Sequence, residues 1–182
     1  ASGRNGGFVE GMWSNFRNLE KQHGQAAALE IGHAAERSIG QIEEFLDERG
    51  IDAWFKQGGY MTVSTSEAQD GAWDGQIEAL GQAGVGEHAK VLDRAEVQAV
   101  CRSPRFREAA LFDDTATIQP ARLAFGLRQA LIDEGVMLFE NSPVTAMNDS
   151  PSGVTVWTPG GKATANRAVL ASGAALAGFG SP

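Results

Sequence analysis

Ala1-Ser2-Gly3-Arg4-Asn5-Gly6-Gly7 sets three glycines around a single arginine. Glycine lets backbone N–H groups approach a ligand closely and takes positive φ without steric cost. Such a loop can form an anion-binding nest, and Arg4 adds a fixed positive charge to it. No apolar run follows that would make the stretch a secretory signal. It also opens without an initiator methionine, as though something upstream had been removed.

Outward from this loop the pattern is mixed. Residues 8–24 interleave Phe8, Met12, Trp13 and Phe16 with Asn15, Arg17 and Asn18, and read as an irregular or short helical connection. Over 25–49, Leu29, Ile31, Ala35, Ile39, Ile42, Phe45 and Leu46 recur at helical spacing, with Gly50 as the stop. Gly32 and Gly40 weaken that helix by about 1 kcal/mol each unless close packing requires them. Short strands are expected at Asp52 to Lys56, Tyr60 to Thr65, Lys90 to Leu92 and Ala109 to Phe112. Helices are expected from a Ser66 cap to about Ala83, and after Asp93, where Glu96 completes a capping box.

Pro120 opens a fourth helix to about residue 134, with Leu123, Leu127, Ala130 and Leu131 inward. Strands follow at Val136 to Phe139 and Val144 to Met147. A hairpin then pairs Val154 to Trp157 with Ala163 to Ala165 around Pro159-Gly160, the central pair of a type II turn. Ala168-Val169-Leu170-Ala171 is an unbroken apolar run of the kind found in buried parallel strands, and it ends in Ser172-Gly173. A strand ending in small residues leaves room for a ligand at its C-terminal edge.

Bulk properties narrow the function classes. The net charge of −8 argues against nucleic-acid or anionic-membrane partners. Cys101 is the only cysteine, which excludes an internal disulfide framework and a cysteine-rich zinc site, and fits a cytoplasmic setting. His23, His33 and His88 lack metal-type spacing and read as core or surface residues. Gly84-x-Gly86-x-x-Ala89 mimics a dinucleotide fingerprint, but a helix precedes it and a short strand follows, so it reads as a loop. The four tryptophans read as packing residues; Trp13 and Trp54 stand out because each lies close to a glycine-rich stretch.

Three passages together resemble the FAD-dependent amine and amino-acid oxidoreductases of the D-amino-acid oxidase and glycine oxidase superfamily, in particular its γ-glutamylputrescine-oxidase-like members. Ala1 to Phe8 resembles the second glycine-rich motif of that family. Gln119-Pro120-Ala121-Arg122-Leu123 through Val144 resembles its helix–strand passage, and Thr158 to Ala174 its hairpin and strand end. The resemblance implies an α/β (α+β) fold: a partial FAD-binding domain with an antiparallel-sheet substrate region. On that reading residues 1–51 carry the FAD-domain loop and long helix, 52–117 the substrate portion, and 118–182 the return to the FAD domain.

The resemblance also implies site roles. Ser2, Gly3, Arg4, Asn5, Gly6 and Gly7 would lie against the flavin ring and pyrophosphate. Val144 would meet the adenine side through its backbone, and Ala171, Ser172 and Gly173 would pass close to the cofactor. The implied chemistry is hydride removal from a carbon beside an amine of a small substrate, with FAD as acceptor, in a protein that can be a homo-oligomer. No catalytic residue is assigned, because no carboxylate pair or nucleophile stands out, and no metal is implied. The N-terminal dinucleotide-binding βαβ unit of the family and the later part of its fold are absent from these 182 residues. The chain is therefore expected to be an internal fragment that alone binds FAD poorly and turns over nothing. A nucleotide- or partner-binding module without redox activity is the alternative.

Overall fold

The computed structural model describes residues 2–173. They form mixed helical and antiparallel-sheet structure in two compact units, one running to Gly135 and one starting at Val136.

The first unit is organised on the strand β5 (Ala109–Phe112). It lies between β3 (Tyr60–Val63) and β4 (Ala89–Leu92) in an antiparallel sheet of order β3-β5-β4. Successive side chains of a strand point to opposite faces. Ala110 and Phe112 join a core with Trp13, Phe16, Ala28, Trp73, Leu80 and Val85. Ala109 packs with Leu92 and Val97, against Leu111, in a second core. Burial on both faces explains the unbroken apolar run of β5, which the sequence reading places correctly.

A second antiparallel sheet has the order β1-β6-β2, from β1 (Phe8–Glu10), β6 (Thr115–Thr117) and β2 (Lys56–Gln57). Residues 8–24 are thus more regular than expected. They hold β1 and the helix α1 (Phe16–His23), which Gly24 ends at φ +82°. Eight residues of helix with only Phe16 and Leu19 apolar carry too little periodicity to read. The expected strand at Asp52 to Lys56 shrinks to β2, because Trp54 takes φ +54° and breaks the extended run.

The helix α2 (Gln25–Glu48) matches its expected span. Ala28, Gly32, Ile39 and Leu46 are its buried residues. A Cβ on Gly32 would overlap the Trp13 ring, so this glycine gives up helix propensity to let the indole bury. Gly40 has no neighbour within 4 Å, and no packing reason for it is visible.

The helix expected from Ser66 starts later, as α3 (Asp74–Gln82), because Gly71 at φ +71° interrupts it and Ser66 makes no capping bond. The helix α4 (Arg94–Val100) carries the expected capping box: Glu96 N–H donates to Asp93 Oδ1 at 2.9 Å, and Asp93 N–H donates to Glu96 Oε2 at 2.9 Å. The helix α5 (Pro120–Asp133) begins at Pro120 as read, but none of its residues is buried. Leu127 and Leu131, expected inward, are 37% and 40% exposed.

The second unit is a meander of order β7-β8-β9: β7 (Ala146–Ser150), β8 (Gly153–Thr158) and β9 (Gly161–Ala165). The hairpin forms where expected, but its turn is not type II. That turn needs positive φ at Gly160, and the positive φ falls on Gly161 instead. The strands expected at Val136 to Phe139 and Ala168 to Ala171 are absent: both stretches are non-regular, Met137 is 80% exposed and Val169 is 91% exposed. A strand exists only as a member of a ladder, and no described strand pairs with either.

Candidate functional site

The glycine loop Ser2–Gly7 is held by its own chain. The Asn5 side-chain amide donates to Ser2 O at 2.8 Å, and Gly7 N–H donates to Asn5 Oδ1 at 2.8 Å. Ile118 N–H donates to Gly7 O at 2.8 Å. Gly7 sits at φ +74°, and a Cβ there would overlap the Ile118 carbonyl. A Cβ on Gly3 would lie 3.3 Å from Ala121 Cα, and one on Gly6 3.0 Å from the Phe8 ring. The glycines therefore let the loop lie flat against the start of α5 and against Phe8. Arg4, Asn5 and Gly6 remain exposed.

A buried carboxylate anchors the chain beyond the loop. Asp114 is 2% exposed, and Trp13 N–H donates to its Oδ2 at 3.0 Å. A Cβ on Gly11 would overlap this carboxyl group. Burial pushes the Asp114 carboxyl above the usual range, against the bonds from the Trp13 and Met12 amides, which pull it down. Trp13 itself is wholly buried and stacks on His88 with centroids 4.6 Å apart, while His33 meets it edge-on at 5.1 Å. Trp13 is thus a packing hub, as most tryptophans are, and it draws together two histidines far apart in sequence. His88 Nδ1 lies 3.0 Å from Asp113 Oδ1.

Trp54 behaves differently. Its ring is 64% exposed, with the Arg122 guanidinium 4.8 Å from its centroid. Arg122 also donates to Asp52 O at 2.5 Å and pairs with the Asp52 carboxylate. Gln119 N–H donates to Ala53 O at 2.8 Å, so Gly7 and Ala53 are tied to adjacent residues, Ile118 and Gln119, at the entrance of α5.

The remaining residues singled out from the sequence lie in the second unit. Val144 lines a cleft with Phe139, Ser142, Val156 and Thr158. Next to it, Thr145 N–H donates to Trp157 O at 2.8 Å. Ala171, Ser172 and Gly173 are exposed and outside any strand, with Gly173 at φ +56°. Ala1 and Ala174 lie outside the described residues.

Sequence reasoning missed Asp114, whose role depends on a contact across 101 residues. It also missed a row of exposed residues across the sheet β1-β6-β2. Phe8 stands opposite Thr117, and Thr117 stands opposite Lys56 on its other side. Only strand register creates this row, and no local signal announces it. Among the described residues no three His, Cys, Asp or Glu side chains gather as metal ligands, and no helix is long and apolar enough to cross a membrane.

The profile of the family described as FAD dependent oxidoreductase matches residues 1–181. The chain belongs to this family. Among curated relatives of this chain, gamma-glutamylputrescine oxidoreductase of Escherichia coli (strain K12) is 28% identical over 177 residues, covering 97% of this chain and 41% of the relative. Probable oxidoreductase OrdL of Rhizobium meliloti (strain 1021) is 27% identical over 175 residues, covering 94% and 40%. The chain thus spans about 40% of the length of these relatives. In fold it is similar to the glycine oxidase of Geobacillus kaustophilus, with a TM-score of 0.75, 20% identity, and coverage of 96% of this chain and 45% of that one.

The loop fits the cofactor of the family on its own geometry. Its shape is set without Arg4 or the exposed edge of Gly6. Arg4 makes no ion pair with a described residue. A preformed loop with an uncommitted cation and an exposed glycine edge suits the carbonyl and phosphate oxygens of FAD.

Proposed function

We propose that these residues form the central part of a flavoenzyme that oxidises a small amine or amino acid. The observation that carries this reading is the loop Ser2–Gly7: packed from below by Ile118 and Ala121, open above, in a chain matched by the FAD family over residues 1–181. When bound, FAD supplies a two-electron acceptor for a hydride from the carbon beside the amine.

This chain's residues bind and orient. Ser2, Gly3, Arg4, Asn5, Gly6 and Gly7 lie along the flavin and its pyrophosphate. Val144 meets the adenine side through its backbone, and Ala171, Ser172 and Gly173 pass near the cofactor. Residues 52–117 build the substrate side. The name of the Escherichia coli relative points to an amine that also carries a carboxylate, and that of the Geobacillus protein to an amino acid. The lone free Cys101, exposed, suits a reducing cytoplasm.

The test is the visible absorption spectrum of the protein at the full length of its relatives. Flavin bands at one equivalent are expected, and Gly6→Val, which drives a branched side chain toward the Phe8 ring, is expected to lower retained flavin. The 182 residues alone are expected to be colourless. Stoichiometric flavin on the 182-residue chain overturns the view that it holds only part of the site. A colourless full-length protein overturns the enzyme reading, and tight binding of a nucleotide by that protein favours a module without redox activity.

A further inference from the structure

The strands β1 and β6 meet along only three pairs: Phe8 with Thr117, Val9 with Ala116 and Glu10 with Thr115. No hairpin turn sets their register, because 101 residues separate Trp13 from Asp114 where the two strands part. The hydrophobic pattern is equally short of information. Val9 is the one half-buried residue of β1, between exposed Phe8 and Glu10. A slip of one residue would move β1 by about 3.4 Å and turn Val9 to the other face.

Bonds beyond the ladder pin both of its ends. At one end Ile118 N–H donates to Gly7 O at 2.8 Å, directly behind the glycine loop. At the other, one further step of the same register sets Gly11 opposite Asp114. There the Asp114 carboxylate accepts from the Trp13 amide at 3.0 Å, from the Met12 amide and from its own N–H. A Cβ on Gly11 would overlap both the carboxyl and the carbonyl of Asp114, so only glycine lets this side chain in. The two pins are four residues apart along β1, about 14 Å of extended chain. Stability does not account for an acid at this place. Asp114 is 2% exposed, and burial pushes its carboxyl above the usual range. Ionising it inside the fold therefore opposes folding at pH above its unfolded value. What the carboxylate supplies is acceptors alone. An amide in its place would turn a donor toward amides that also donate.

We propose that Asp114 is a positioning residue for the cofactor: by fixing the register of β1 on β6 it sets where the loop Ser2–Gly7 meets FAD. β6 is the fixed member of the pair, because Gly58 and Gly59 N–H hold Thr115 O from the β2 side at 3.2 and 3.0 Å. β1 follows β6, and the loop that leads into β1 follows β1. Asp114 thus acts on the flavin through the backbone of β1. The assignment rests on the flavin reading above and adds to it a residue at the far end of the strand.

The experiment uses the full-length protein, stripped of flavin and titrated with FAD. Asp114→Asn is expected to weaken FAD binding at least tenfold, the scale of one hydrogen bond to a charged group. At saturating FAD, the visible circular dichroism of the bound flavin is expected to differ from that of the parent. Asp114→Ser also keeps one acceptor, carries the same expectations, and stands in if the first variant does not fold. Val97→Ala is the control. It opens a cavity in the second core, which contains no residue of β1 or β6, and it is expected to leave both readouts as in the parent. An FAD affinity within twofold of the parent in the Asp114 variant overturns the proposal, and so does an unchanged dichroism band. An equal loss of affinity in Val97→Ala overturns it too, by assigning the effect to stability. If the parent protein binds no FAD, the reading of the preceding subsection falls, whereas a parent that binds FAD beside an Asp114 variant that binds it equally well sinks only the positioning role.

Discussion

The loop at Ser2–Gly7 and the strand end at Ala168–Gly173 read in the sequence as two halves of one site, yet the structure treats them oppositely. The loop is fully shaped: its one asparagine bonds in both directions, and its glycines fit against Ile118, Ala121 and Phe8. The strand end has no ladder partner among the described residues, and Val169 is 91% exposed. A turn satisfies its backbone groups within a few residues and needs only one surface to lie on. A parallel strand draws all its hydrogen bonds from neighbours distant in sequence. Preorganisation is local in the first case and collective in the second.

Breaking the loop should show the largest effect. Gly7→Val places a β-branched residue at φ +74° against the Ile118 carbonyl. A cost of about 3 kcal/mol in urea unfolding is expected, and a loss under about 0.5 kcal/mol would show that the loop is not held as described. Asn5→Ala removes both side-chain bonds of the loop. About 1 kcal/mol is expected, together with faster protease cleavage between residues 2 and 7.

A pH titration reports on tethering elsewhere in the first unit. Arg107 donates to both oxygens of Asp70, at 3.1 and 3.0 Å from Nε and 2.8 Å from Nη2, and holds its carboxyl below the usual range. The folded value lies below the unfolded one. The pair therefore stabilises the fold above pH about 3.8, and that contribution disappears as pH falls through the lowered value. Asp70→Asn is expected to flatten the acid limb of the stability profile; an identical limb would show that the pair carries no linkage. The smallest effect is expected at the strand end, where Val169→Ser in the 182-residue chain should stay within about 0.5 kcal/mol. In the full-length protein, where the family reading supplies neighbouring strands, the same change should cost about 2 kcal/mol. Equal effects in the two would erase the contrast between loop and strand end.

Legibility followed the range of the interactions. The helix at 25–48, the capping box at Asp93 and Glu96, the Pro120 helix start and the strand at Ala109–Phe112 were readable because periodicity and caps act within a few residues. The helix expected from Ser66 failed on one residue, Gly71, whose positive φ is a tertiary choice. The strand expected at Asp52 to Lys56 failed on Trp54, a bulky residue at φ +54° held beneath Arg122 from α5. At the site, the loop was legible by composition. The row of Phe8, Thr117 and Lys56 and the Asp114 anchor were not, because register and long-range bonds create them.

By itself the sequence determined the family, the long helix and the glycine loop, since each is written in residues adjacent along the chain or one helical turn apart. Only the tertiary structure decided why the glycines are needed. Gly7 faces a carbonyl 111 positions on, Gly32 makes room for the Trp13 indole, and Gly11 for the Asp114 carboxylate. It alone also decided which apolar runs become strands. A hydrophobic stretch specifies that a surface wants to be covered, and pairing partners specify whether it is a strand.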